Sequence, residues 1–203
     1  MGDGAQQVVV LRFEGHRAAR PLAASEVVEV AGADDIDAAA ARASRLVVVG
    51  SDADLAAVLT RLMRTERLDV AVGHARGWRS ARRALRGEAQ RVPLIRDDAG
   101  QVIVEGAHWR PAEGEALHGE AVVDDDLLFS GEVAGVRIEP TPHLPGLRAA
   151  VVSARGRPGR WITGRAAQLG TVAALVVRDG VAAPRPVKRS TFYRHTEGWL
   201  RVG

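Results

Sequence analysis

The sequence predicts an α/β plus all-β protein, with an open parallel α/β lobe at the N-terminal side and an antiparallel β-sandwich lobe after it. Up to about residue 90, short valine-rich strands alternate with helical stripes, the order that produces parallel sheets with right-handed crossovers. After Gly87 the texture changes to valine-rich segments cut by Asp-Asp-x-Gly, Pro-x-Pro and Asp-Gly turns, with no helical stripe of ten residues. Between Arg45 and Arg67, RLVVVGSDADLAAVLTRLMRTER joins a continuous apolar run to a glycine and then to an amphipathic helix.

Taken in order, Val8–Phe13 and Glu26–Val30 read as strands, and Asp34, Asp35 and Asp37 precede an alanine-rich helix at Ile36–Ser44. Carboxylates there favour the positive end of the helix dipole. Leu46–Val49 is β-branched and uninterrupted, which suits a strand covered on both faces. Past Gly50, Leu55, Val58, Leu59, Leu62 and Met63 recur at helical spacing, and Ser51 with Asp54 forms a Ser-x-x-Asp capping pair. Leu68–Val72, closed by Gly73, is the next strand, and Trp78–Leu85 the next helix. The second lobe offers Val92–Arg96, Val102–Glu105, Glu120–Phe129, Val136–Glu139, Leu147–Ala154, Trp161–Leu169, Ala173–Arg178, Val187–Tyr193 and Trp199–Val202 as strands. The lobes are placed at 1–94 and 95–203, with the option that the last strand returns to the first lobe.

Composition excludes several classes. With 28 Lys and Arg against 25 Asp and Glu, the net charge of +3 is too weak to argue a nucleic-acid partner. Cysteine is absent, so a disulfide framework, a thiolate nucleophile and a cysteine zinc site drop out. The start has no basic region followed by an apolar segment, and no apolar run is long enough to span a bilayer, so a soluble cytoplasmic protein is expected. No Gly-x-Ser-x-Gly elbow, dinucleotide glycine fingerprint or HExxH is present. His74, His108, His118, His143 and His195 are scattered and read as surface or loop residues rather than ligands.

A strand that runs through a glycine turn into a capped helix is a common anion site, because unpaired amides and the helix dipole point at the turn. VVVGSDADLAAVLTRL resembles the strand, GGDGT turn and helix of the diacylglycerol kinase catalytic family, lipid-kinase relatives of the NAD kinases. That resemblance implies a phosphate-holding turn at Gly50, Ser51, Asp52, Ala53 and Asp54. Gly50 and Asp52 keep the pattern; Ser51, Ala53 and Asp54 stand where Gly, Gly and Thr are expected. It also implies an α/β lobe followed by a β lobe, with ATP and magnesium as cofactors if the protein is active. WITGRAAQLGTVAALVVRDGVAAPRPVKRSTFYRHTEGWLRV resembles the family's closing segment, and since full members are longer, loops or a strand pair should be missing here.

Against a phosphate loop stands the plain capped turn. Asp52 and Asp54 would each repel a polyphosphate by roughly 1 to 3 kcal/mol unless a divalent cation lies between. The family's second turn should fall at VGHARGWRSARRAL, where Gly77, Ala81 and Leu85 match, Trp78 replaces Thr and Ser80 replaces Asn. Arg79, Arg82, Arg83 and Arg86 form a basic helical face there. It could hold nucleotide phosphates, rest on anionic lipid headgroups as a peripheral membrane contact, or simply be solvated. The family's general-base segment aligns with LPGLRAAVV, which puts Pro145 and Arg148 where acids are needed, and neither accepts a proton. Asp179-Gly180-Val181 keeps the terminal turn and loses its glutamate, while Asp124, Asp125 and Asp126 read as a hairpin or edge strand rather than a cation site.

The expected function is a degenerate lipid-kinase-like protein that binds a nucleotide or another ligand, or acts as a scaffold, with its β lobe serving partner contacts or self-association. The alternative is an active ATP-dependent lipid kinase transferring phosphate to a lipid or polyol hydroxyl, with Asp52, the Gly50 turn, Arg79 and Arg82 at the phosphates.

Overall fold

A computed structural model describes residues 7–114 and 116–203. It divides into two compact units: one ends at Val92 and takes up Glu197–Gly203, and the other is Pro93–Thr196.

The first unit runs β1 (Val8–Arg12), a short 3₁₀ turn (Arg20–Leu22), β2 (Glu26–Glu29), α1 (Ala33–Arg42), β3 (Arg45–Val49), α2 (Asp52–Arg64), β4 (Ala71–His74), α3 (Trp78–Arg86) and β5 (Ala89–Val92). The terminal strand Trp199–Val202 inserts between β4 and β5, giving the order β2-β1-β3-β4-terminal-β5. All pairings are parallel except that of the terminal strand with β5. Residues 45–49 are buried throughout, as expected for a strand covered on both faces, where each apolar side chain contributes about 1.5–3 kcal/mol. Val10, Val47 and Val49 pack with Leu22, Ala81 and Ala84, which places the 3₁₀ turn and α3 on one face of the sheet. Alternation along β1 and β3 turns Val9, Leu11, Leu46 and Val48 to the other face, where α1 and α2 pack and share the Arg61–Asp37 ion pair.

Two details differ from the sequence expectation in this unit. Leu68–Val70 lie outside the strand, which instead continues through Gly73 to His74. Gly73 does not end β4; a Cβ there would lie 2.6 Å from the Cβ of Ala84, so the glycine is what lets α3 approach the sheet. The helix expected at Ile36 starts at Ala33, because the Asp35 carboxylate accepts from the amides of Ala31 and Gly32 and turns the acidic run into a cap.

The second unit contains β6 (Ile95–Asp97), β7 (Val102–Ile103), β8 (Ala107–Pro111), β9 (Leu117–Val123), β10 (Asp126–Val133), β11 (Val136–Pro140), β12 (Leu147–Val151), β13 (Ile162–Gly164), β14 (Ala166–Arg178), β15 (Val181–Ala182) and β16 (Val187–Arg194). Every pairing given for it is antiparallel. The long β14 holds the unit together: residues 167–170 pair with both β9 and β16, and residues 174–178 pair with β8. Trp109, Phe192, Leu117, Ile138, Leu147 and Val176 form the centre of the core.

Two expected single strands are each broken in two. Glu120–Phe129 becomes β9 and β10, joined at Asp124, whose φ of 51° bends the chain into a hairpin. Trp161–Leu169 becomes β13 and β14, because the Asp124 carboxylate accepts from the amides of Arg165 and Ala166 at 2.9–3.0 Å and draws the backbone there out of the ladder. One residue takes part in both breaks, through its backbone in the first and its carboxylate in the second. Among the described residues no helix is long and apolar enough to cross a membrane.

Candidate functional site

In a parallel sheet the turns after adjacent strands collect at one edge, and ligands of open α/β sheets bind there. The turns after β1, β3 and β4 do so here. His16 Nε2 lies 3.9 Å from Asp54 Oδ2, and His74, at the end of β4, lies 2.8 Å through Nε2 from the Gly50 carbonyl. His74 Nδ1 accepts from Arg76 Nε at 3.3 Å, which fixes the ring as the tautomer whose Nε2–H donates to Gly50. Arg76 also makes a short ion pair with Asp52, whose side chain is 25% exposed.

The Gly50 turn is closed by its own residues. Ser51 Oγ accepts from the Asp54 amide at 3.2 Å, while Asp54 Oδ2 accepts from the Ser51 amide at 2.7 Å and from the Ser51 hydroxyl at 2.8 Å. This is the reciprocal capping box that the Ser-x-x-Asp spacing predicts. Gly50 allows it: a Cβ would lie 2.7 Å from Asp54 Oδ2. In the turn, the amides of Asp52 and Ala53 are what remains for an outside anion, and Ala53 has no polar side chain to add.

Arg79 and Arg82 are exposed on α3, with Arg79 in its first turn and Arg82 stacked 5.4 Å from the ring centroid of Trp78. Thus the structure brings Gly50, Ser51, Asp52 and Asp54 together through hydrogen bonds and ion pairs, and leaves Arg79 and Arg82 facing solvent. Sequence reasoning missed His16, His74 and Arg76. The signal for His74 was its position one strand over from the glycine turn, visible only once β3 and β4 are paired in register.

Buried Arg45 anchors α3 from the sheet. Its guanidinium donates to the carbonyls of Ala84, Leu85 and Gly87 at 3.3, 2.5 and 3.0 Å, where the negative end of the helix dipole lies. Burial lowers its pKa below that of an ordinary guanidinium.

In the second unit, Arg148 donates to Glu139 Oε2 at 2.6 and 2.9 Å and stacks 4.3 Å from the ring centroid of Trp161. Glu139 is the carboxylate across the strand from Arg148, and Arg137 reaches its other oxygen at 2.7 Å. Asp179 accepts from the amides of Val104, Glu105 and Gly106, so it holds the turn before β8. Burial pushes its carboxyl above the ordinary 3.8, with those three amides pulling the other way.

A cavity of about 630 Å³ on this unit is lined by His108, Arg110, Val152, Ser153 and Ala154, among others. His108 therefore sits on a strand at a cavity wall rather than in a loop. Burial, then Arg110 and Arg137, hold its imidazole below the ordinary 6.5. A depressed pKa means the folded state takes up a proton less readily than the unfolded chain, so the His108 contribution is complete above 6.5 and is lost as pH falls toward the folded value. Urea unfolding on either side of that pH is expected to show lower stability on the acid side, and His108→Gln is expected to reduce the difference.

No family model and no curated protein matches the chain. Solved structures do. A diacylglycerol kinase from Bacillus anthracis str. Sterne superimposes with a TM-score of 0.73 at 12% identity, covering 97% of this chain and 96% of that one. A second, putative diacylglycerol kinase from the same strain gives 0.74 at 11% identity, with 97% of each chain covered. An NAD kinase from Archaeoglobus fulgidus, solved in complex with ATP, gives 0.62 at 12% identity, covering 97% of this chain and 93% of that one. The match spans these neighbours nearly end to end. The open α/β unit, the antiparallel β unit and these likenesses together show that the chain has the NAD kinase-like fold of the diacylglycerol kinases.

Proposed function

We propose that this chain is a non-catalytic protein on a lipid-kinase-like fold, acting by binding or as a scaffold and not by phosphoryl transfer. The observation that carries this reading is the closed Gly50 turn, where Asp54 occupies the Ser51 amide and Ser51 occupies the Asp54 amide. A polyphosphate entering there would have to undo that cap, at about 0.5–2 kcal/mol. It would also face two carboxylates, each repelling it by roughly 1 to 3 kcal/mol.

Magnesium could relieve that repulsion only by drawing Asp52 away from Arg76. Among the described residues no three His, Asp or Glu side chains are grouped to hold a metal ion. Magnesium shared with phosphate oxygens needs only one or two carboxylates from the protein, and here Asp52 would have to release Arg76 to serve as one. At the segment that resembles the general-base turn, Arg148 cannot accept a proton, and Glu139 across the strand is in ion pairs with Arg148 and Arg137.

The second reading is an active ATP-dependent kinase of a lipid or polyol hydroxyl, favoured by the fold and by the place of Asp52 at the turn. It would use Asp52, Arg79 and Arg82 toward the phosphates. Calorimetric titration with ATP and magnesium, followed by a phosphate-transfer assay on diacylglycerol, separates the two. No heat of binding and no phosphorylated lipid are expected; turnover that Asp52→Ala abolishes would overturn the non-catalytic reading.

A further inference from the structure

The residues of α3 that face solvent are Trp78, Arg79, Arg82, Arg83 and Arg86. At 100° per residue they span an arc of about 140°, while Ala81 and Ala84 lie on the opposite side and pack on the sheet. Among the described residues none of these four arginines is in an ion pair, in contrast to Arg12, Arg42, Arg61, Arg76 and Arg91 of the same unit. The helix itself contains no acid. The segment packed against it adds Arg17 and Arg20, also exposed and outside the ion pairs.

Trp78 gives this basic face its second character. Its ring is 55% exposed at the first position of the helix, which is unusual for so large an apolar group, and the Arg82 guanidinium stacks over it. Tryptophan is the side chain enriched where one end of a group meets hydrocarbon and the other meets water. Arginines beside it match the phosphates of anionic headgroups in charge and in hydrogen-bonding geometry. A double helix of nucleic acid would use the arginines and leave the indole idle, and the chain's net charge of +3 supplies little long-range attraction to it.

We infer that α3 is a docking face for an anionic lipid bilayer, with Trp78 seated at the headgroup boundary and Arg79, Arg82, Arg83 and Arg86 against the lipid phosphates. This goes beyond the reading of the Gly50 turn and rests on it in one respect, since an active kinase would turn Arg79 and Arg82 to its nucleotide, whereas Trp78, Arg83 and Arg86 have no part in that reading. Arg45 contributes from behind: its hydrogen bonds to the last carbonyls of α3 hold the helix against the sheet.

The test uses the full chain with vesicles of phosphatidylcholine alone and of phosphatidylcholine mixed with phosphatidylserine. Cosedimentation is expected with the mixed vesicles only and is expected to weaken as salt shortens the Debye length. The double change R82A/R83A is expected to weaken it about 25-fold, at about fivefold for each arginine. Trp78 is the most exposed tryptophan, so the emission should shift to the blue on binding, and W78F should remove that shift. Both variants alter exposed side chains, and circular dichroism confirms that they are folded. Binding that ignores phosphatidylserine, binding that R82A/R83A leaves unchanged, an unshifted Trp78, or equal binding to a DNA duplex at the same salt would each overturn the assignment.

Discussion

Arg178→Ala is expected to lower the unfolding free energy of the β unit by about 3–5 kcal/mol, because it strands a buried carboxylate. Asp97 is fully buried, and its Oδ2 accepts from Arg178 Nε at 2.6 Å while its Oδ1 accepts from the Gln101 amide at 2.7 Å. Residues 97 and 178 are far apart in sequence and meet because β6 and β14 both flank β16. With the guanidinium gone, the carboxylate keeps the Gln101 amide and loses the counter-charge that Arg178 supplied. Adding Asp97→Asn to Arg178→Ala should recover part of the loss, since a neutral amide keeps the Gln101 hydrogen bond and removes the stranded charge. Urea denaturation of the single and double variants measures both steps. A loss below about 1 kcal/mol for Arg178→Ala would mean the pair behaves like a screened surface bridge.

Trp109→Ala is expected to cost a similar amount, about 3–5 kcal/mol, by a different route. The indole is fully buried, its ring centroid lies 6.1 Å from that of Phe192, and Nε1 donates to Ser190 Oγ at 2.9 Å. Truncation removes the largest side chain of the core and leaves a buried hydroxyl without its donor. Trp109→Phe keeps most of the ring and should lose about 1–2 kcal/mol, chiefly through that hydroxyl. Near-ultraviolet circular dichroism should report the same ranking. Equal stability of the two variants would show that the Ser190 contact, and not packing, dominates.

These two sites bear on function because they separate what keeps the β unit folded from what an enzyme would need there. Asp179 belongs to the first group. The resemblance places it in the family's terminal Asp-Gly-Glu turn, and its carboxylate is taken by three amides of the chain segment before β8. Arg148 and Glu139 neutralise each other in the same sense. In the first unit, Asp52 with Arg76 and Asp54 with Ser51 follow the same pattern, so these charged groups are spent on internal partners.

What the sequence by itself determined is whatever is written within about four residues of chain: the valine runs of β1 and β3, the stripe of α2, the Ser51–Asp54 cap, the basic face of α3, and the change of texture after Gly87. Those signals suffice for two kinds of lobe and for locating the glycine turn, because periodicity and capping are local. Tertiary structure alone decided the partners of the charges. Arg76 reaches Asp52 across 24 residues, Arg45 reaches the end of α3 across about 40, and Asp97 meets Arg178 across 81. Such pairings depend on which strands lie side by side and in what register, and no local pattern encodes that. The same dependence explains why Asp124 reads in the sequence only as part of a hairpin or edge strand, while in the fold its carboxylate also accepts from the amides between β13 and β14.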